Sequence, residues 1–404
     1  MLCRRNIQWG PAALRKQSWS SIVDRALIWA ANGFSRKGLW LTDTALVGQD
    51  ITGHPDFKAA DIIHLHWVNQ GFISLSTLRK IIESGKRVVW TMHDEWPLDT
   101  IYHYTYGHEP QQAWLPRLIA RRKQSIYNLP APVPAPKGEG QGAAITNALH
   151  PAPNAQCLSL GDHISENATT QHLTPNTQRP ITFVTCSEWL RSISASKPLA
   201  QGQEVVAIPN PIDSTVFHPV EHANRRRVLF VAQNVNDERK GIRYLNEAAA
   251  MLPDVEIIAL GRDIPYINNV EEMAALYASM DAFVTPSLQD NLPNTIMEAM
   301  ACGTPCVGFD TGGIPEMIDH RENGYIARYR DAADLAAGIR YVLDDTNHRR
   351  LSLAAREKVM RCYSEAAVAE KYKIIYGPPP PYGHLPHGGG RITFTNGGLP
   401  LQET

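Results

Sequence analysis

Long apolar runs are missing from this 404-residue chain. No stretch approaches the roughly 18 residues that a bilayer span requires, and no apolar core precedes a small-residue cleavage site, so a soluble, cytoplasmic protein is expected. A surplus of one charge is missing as well: 39 Lys and Arg stand against 40 Asp and Glu, a formal net charge of −1. A nucleic-acid binder normally carries a strong basic excess, so the balance argues against that class, and the short basic runs at 121–123 and 225–227 read as solvated faces. Cysteine is sparse. Cys3, Cys157, Cys186, Cys302, Cys306 and Cys362 show no metal-ligand spacing, and a chain of this length needs no disulfide staples, so a reducing compartment fits.

What is present begins with a local exception to that balance. The first 37 residues carry Arg4, Arg5, Arg15, Lys16, Arg25, Arg36 and Lys37 against Asp24 alone, together with Trp9, Trp19 and Trp29. An ordinary amphipathic surface helix is the first reading, and an interfacial helix in peripheral contact with the inner surface of a membrane is the second.

The length suggests two domains. From residue 226 the pattern alternates strand and helix: VLFVAQ, GIRYLNEAAAML, VEIIAL, VEEMAALYASM, AFVTPS, NTIMEAMAC and PCVGF. That is the signature of a parallel sheet wound with helices, an α/β class in which ligands lie beyond the carboxyl ends of the strands. The first half repeats the alternation less regularly, with strands at DIIHLHW, RVVWTMHD, ITFVTCS and EVVAIPN. The expected division is a first domain over 1–210 with a mobile insertion at about 129–180, a Pro-bearing linker at 211–225, and a second domain over 226–362. A closing helix at 363–376 and a disordered tail at 377–404 complete it.

The most informative stretch is 287–316, SLQDNLPNTIMEAMACGTPCVGFDTGGIPE. Asp290 lies in a loop and Glu298 inside the helix that the loop opens. Pro293 suits the first helical position and Gly303 the stop after Cys302. The N–H groups of Asn291, Leu292, Asn294 and Thr295 gather at that helix start, where the macrodipole is positive and a phosphate binds readily. Two carboxylates beside a phosphate would repel it, so they are expected to accept hydrogen bonds from neutral hydroxyls instead. Phosphate with hydroxyls points to a nucleotide sugar. The competing reading is structural, with Asp290 capping the helix and Glu298 held in a polar network.

This segment resembles the nucleotide-sugar site of retaining glycosyltransferases of family 4, which carry two acids separated by seven residues; Asp290 stands where a glutamate is usual. The match runs on through CGTPCVGFDTGGIPEMI. The family's subgroup that builds colanic acid and capsular polysaccharide is the most similar. The resemblance implies the GT-B architecture, two Rossmann-like domains facing across a cleft with the last helices bracing the first domain. It assigns the donor hexose to Asp290 and the ribose to Glu298.

Arg239, Lys240 and Gly241 follow the first strand of the second half. Cations at a strand's carboxyl end suit a diphosphate, the glycine permits close approach, and the resembled family places its diphosphate-binding lysine in a similar KG turn. Its usual earlier arginine is replaced by Gln233 or Asn234. TMHDEW resembles the family's first-domain histidine motif, which implies contact between His93 and the donor sugar near the reacting carbon. Asp94 is expected to orient that imidazole. His64 and His66 share one strand face, and a zinc reading of them lacks a third ligand. The family's opening strand and Gly-bearing loop are not found, so the first domain is expected to be incomplete.

The expected reaction is hexosyl transfer from a UDP- or GDP-sugar to a sugar or lipid-linked sugar acceptor, with retention, no cofactor and no metal, in cell-surface polysaccharide or glycolipid synthesis. Two other readings stay open: an inactive relative that only binds nucleotide, and a nucleotide-sugar epimerase of the same architecture.

Overall fold

The computed structural model describes residues 11–36, 39, 42–103, 114–127, 181–221, 226–232, 234 and 237–377, with side chains from Trp19 onward. The expected insertion at about 129–180, Gln233, and the tail beyond Gly377 lie outside the described residues. The described chain divides into two units, meeting in sequence between Ala207 and Ile208.

The first unit runs α1 (Pro11–Ala31), α2 (Pro55–Ala59), β1 (Ile62–Leu65), α3 (Leu75–Glu83), β2 (Arg87–Met92), α4 (Trp114–Ile126), β3 (Thr182–Thr185), α5 (Glu188–Ala195) and β4 (Glu204–Ala207). All strand pairs are parallel, in the order β1-β2-β3-β4. Val88, Val89, Trp90 and Met92 in β2 are buried in succession, as expected of a parallel strand covered on both faces. Trp90 packs against Phe183 and Trp96. Ser74 and Ser187 accept from Thr77 N and Leu190 N, which caps α3 and α5 at their starts.

The second unit runs β5 (Arg227–Val231), α6 (Ile242–Ala249), β6 (Glu256–Leu260), α7 (Val270–Ala278), β7 (Ala282–Thr285), α8 (Asn294–Ala301), β8 (Cys306–Phe309), α9 (Ile314–Met317), β9 (Gly324–Ala327), α10 (Ala332–Leu343), α11 (Asp345–Cys362) and α12 (Glu365–Tyr376). Its sheet is parallel, in the order β6-β5-β7-β8-β9. The chain therefore leaves β5 toward one edge and returns to the other side of β5 for β7. A crevice opens at the carboxyl ends of strands where the winding reverses in this way, here between β5 and β7.

The α/β class with helix-wound parallel sheets is the one expected, and every strand named from the sequence is present. Strand β9 was not among them, because GYIA is too short to show a periodicity. Pro293 is the N-cap residue of α8 rather than its first helical residue, its ψ of 114° lying outside the helical range. Gly303 follows the Cys302 cap with φ 75°, the left-handed stop that was expected. The segment expected as a linker is fastened to the second unit: Ile212 N donates to Tyr363 O, and the Arg356 guanidinium donates to the carbonyls of Ser214, Phe217 and Ala301.

Candidate functional site

In the second unit, the loops after β5, β7 and β8 are laced together by backbone contacts. Leu288 N donates to Arg239 O at 2.7 Å and Gly313 N to Asp290 O at 3.1 Å. Two glycines make the lacing possible. Gly241 (φ 70°) sits so close to the β7 loop that a Cβ there would lie 1.8 Å from Pro286 O, and at Gly312 (φ 59°) a Cβ would lie 1.9 Å from Asp290 O. Only glycine tolerates both the backbone angle and the distance.

This lacing brings two of the expected site residues together. Lys240 Nζ donates to Asp290 Oδ2 at 2.9 Å, bridging the loops after β5 and β7 at the point where the sheet order reverses. The pair is accessible, with side chains 33% and 19% exposed. Arg239 is placed differently. It donates in a fork to Asp237, from Nη2 at 2.8 Å and Nε at 3.3 Å, while Asp237 Oδ1 also accepts from Arg239 N in a short 3-10 turn over Glu238–Lys240. Both cations of the expected diphosphate site thus face a carboxylate in this structure.

No side chain caps the start of α8. Asn291 and Leu292 are buried just before it, Thr295 is half-buried, and Asn294 is exposed with its Oδ1 accepting from Asn210. Asp290 does not cap this helix. Next to it in the loop, Gln289 is buried, and its Oε1 has no hydrogen-bond partner among the described residues. Glu298 lies further along α8, toward Tyr277 of α7. Burial raises its pKa, while the nearby Tyr277 hydroxyl acts in the opposite direction. The Glu298 charge is also felt by Tyr266 in the loop after β6. Cys302 and Cys306 are buried free thiols, Cys302 pushed up to about 12, and their packing role stands.

In the first unit, His64 and His66 at the end of β1 and His93 after β2 form a packed row. Their ring centroids are 4.2 Å and 5.7 Å apart, and His66 Nδ1 lies 3.4 Å from His93 Nε2. Burial lowers the pKa of all three, His64 to about 3. They are neutral at pH 7. Asp94 does not orient His93 as expected. Its Oδ2 pairs with His103 Nδ1 at 2.6 Å and its Oδ1 accepts from Trp96 N, because the chain turns sharply after β2 and carries the carboxylate inward. Among the described residues, no group of three or more His, Cys, Asp or Glu side chains is placed to hold a metal ion.

Sequence reasoning missed the partners Asp237 for Arg239 and His103 for Asp94. Asp237 had a local signal, an Asp two residues before a turn position. The other pairing is made by tertiary packing and left none.

Residues 225–345 match the family model described as Glycosyl transferases group 1. N-acetyl-alpha-D-glucosaminyl L-malate synthase of Bacillus anthracis is 30% identical over 131 residues, which span 32% of this chain and 34% of that enzyme. The chain spans between 34% and 58% of the length of the first three curated relatives it matches. Among solved structures, sucrose-phosphate synthase from Thermosynechococcus elongatus superimposes with TM-score 0.53 at 17% identity, covering 79% of this chain and 73% of that one. The Anabaena protein HepE, solved in complex with UDP, gives TM-score 0.51 at 14% identity, covering 79% of each. At such identities the structural likeness shows the fold, which is that of GT-B glycosyltransferases. The sequence matches support the glycosyltransferase group 1 family, with the family model covering the stretch that holds Lys240, Asp290 and Glu298.

Proposed function

We propose that the protein transfers a hexosyl group from a nucleoside diphosphate sugar, UDP- or GDP-linked, to the hydroxyl of a sugar or lipid-linked sugar. Transfer proceeds with retention and without a metal ion or other cofactor, in cell-surface polysaccharide or glycolipid synthesis. The observation that carries this reading is the Lys240–Asp290 pair at the sheet's reversal point. A pair this exposed contributes at most about 1 kcal/mol, so a diphosphate displaces Asp290 from Lys240 at little cost. The freed carboxylate then accepts from hydroxyls of the hexose, and Glu298 accepts from those of the ribose. Gln289 offers a further buried acceptor to the ligand.

As the glycosidic bond stretches, negative charge grows on the departing diphosphate. Lys240, Arg239 and the N–H groups of Asn291, Leu292, Asn294 and Thr295 stabilise it. His93 contacts the hexose as a neutral imidazole, because burial keeps it uncharged. The relatives' names support the transfer: one synthase joins a glucosaminyl group to malate, and another carries N-acetylgalactosamine to a diphospho-undecaprenol acceptor.

The test is transfer from UDP- and GDP-sugars by the full chain, followed alongside melting temperature. A donor at about 100 times its Kd stabilises the folded form by about 2.7 kcal/mol, a shift of several degrees. A donor that shifts melting and is consumed by an acceptor supports the proposal. Stabilisation without turnover supports the binding-only reading. Conversion of free donor to its epimer sinks both.

A further inference from the structure

Trp90 and Trp96 of the first unit are each 1% exposed, whereas Trp67, just beyond the carboxyl end of β1, is 42% exposed. Its ring lies on that of His103, with centroids 5.3 Å apart and planes 9° from parallel. One face of the indole is therefore backed, and what remains in solvent belongs to the other face and the rim. The backing is fixed: His103 is buried, and its Nδ1 donates to Asp94 Oδ2 at 2.6 Å. The loop that follows Trp67 is fixed as well, since Ile73 N donates to Val68 O at 3.0 Å and Gln70 N to Asp43 Oδ2 at 2.6 Å. An exposed indole held this firmly loses little freedom when a ligand settles on it.

We propose that Trp67 is the floor of a pyranose subsite, which under the transferase reading above holds the acceptor sugar. A pyranose has an apolar face of C–H bonds and a rim of hydroxyls. The negative face of an indole attracts such hydrogens, and the contact takes apolar area out of water. The surroundings suit a neutral ligand. Trp67, Thr91, His93 and Pro97 line one cavity with Asp94, whose carboxylate is taken up by His103 and by Trp96 N. Burial keeps His93 uncharged, so these lining side chains offer no counter-charge to an anion or a cation. The shared cavity also puts Trp67 beside His93, the residue placed above against the donor hexose. An acceptor ring has to lie next to that hexose for its hydroxyl to attack.

The experiment is saturation-transfer NMR on the full chain with methyl β-glucopyranoside, methyl β-galactopyranoside and, as a hydroxy acid without a ring, malate. The glycosides are expected to receive saturation, strongest at the ring hydrogens of one face, and malate none. Trp67→Ala removes the effect and Trp67→Phe retains it, with melting temperature confirming that both variants are folded. In a transfer assay Trp67→Ala is expected to raise the acceptor KM roughly tenfold, Trp67→Phe by less than about threefold, while the melting shift given by the donor is unchanged. No saturation of either glycoside, saturation that Trp67→Ala leaves in place, saturation of malate equal to theirs, or displacement of the glycosides by uridine overturns the proposal. Transfer with an unchanged acceptor KM in Trp67→Ala overturns it as well and leaves the transferase reading standing. Glycoside binding that depends on Trp67, with no donor consumed, supports the subsite and sinks the transferase reading alone.

Discussion

The two sheets of this protein are built by the same rule and end differently. In the first unit the described strands run in one direction across the sheet, β1 to β4, and the ends of β1 and β2 are occupied by neutral histidines packed on one another. In the second unit the order reverses between β5 and β7, and an exposed ion pair stands at that point. A monotonic sheet leaves adjacent loops packed together. A reversal puts the crossovers that follow the two strands on opposite faces of the sheet, and the crevice at their carboxyl ends takes polar side chains that water or a ligand satisfies. Strand order thus decides where a charged pair is both positioned and available.

The sharpest way to break this comparison is to pry the laced loops apart. Gly241→Val forces a Cβ into Pro286 O and a β-branched residue into the left-handed region, and a loss of about 3 kcal/mol or more is expected, read by denaturant unfolding. A variant as stable as the parent would mean that the loops are not held as described. Next in size, Lys240→Ala is expected to lower transfer on the order of 10²-fold while the melting temperature of the unliganded protein stays within a degree or two. Full transfer would remove the lysine from the site. Arg239→Ala should matter less to stability, below about 1 kcal/mol, because its fork with Asp237 is partly exposed.

Acid separates the two ends by the sign of their response. The histidines have folded pKa values below their ordinary 6.5, so the unfolded chain binds more protons between those values. Their contribution is complete above about pH 6.5 and is lost as pH falls, for His64 down to about 3, at up to about 1.4 kcal/mol per pH unit for each group. Glu298 runs the other way: its raised pKa gives a contribution present at low pH and lost as pH rises through the folded value. Hydrogen-exchange protection, corrected for the slower intrinsic exchange in acid, is therefore expected to fall at β1 and β2 between pH 7 and pH 4 before it falls at α8. Simultaneous loss of protection would show that the histidine row does not control the first unit.

Much of the second unit was legible because its elements are local. Period-two and helical patterns, Gly303 after Cys302, and the Asp290 to Glu298 spacing all sit within a few residues of what they determine. The α/β class, every strand but β9 and the candidate site loops followed from those patterns. Pro293 was misplaced by one position, since a proline's φ suits the N-cap and the first turn alike and only ψ separates them.

Other features joined residues remote in sequence, and there the pattern was silent. That Lys240 reaches Asp290, fifty positions on, depends on the order in which β5, β6 and β7 assemble and on two glycines that let backbone touch backbone. That Asp94 turns to His103 instead of His93 depends on which partner wins a buried carboxylate. The sequence by itself settled which segments form strands and helices and which residue types stand at their ends, because those choices are governed by local sterics and burial periodicity. Only the tertiary structure decided how the charges pair, because an ion pair is set by distance in space, which chain position does not encode.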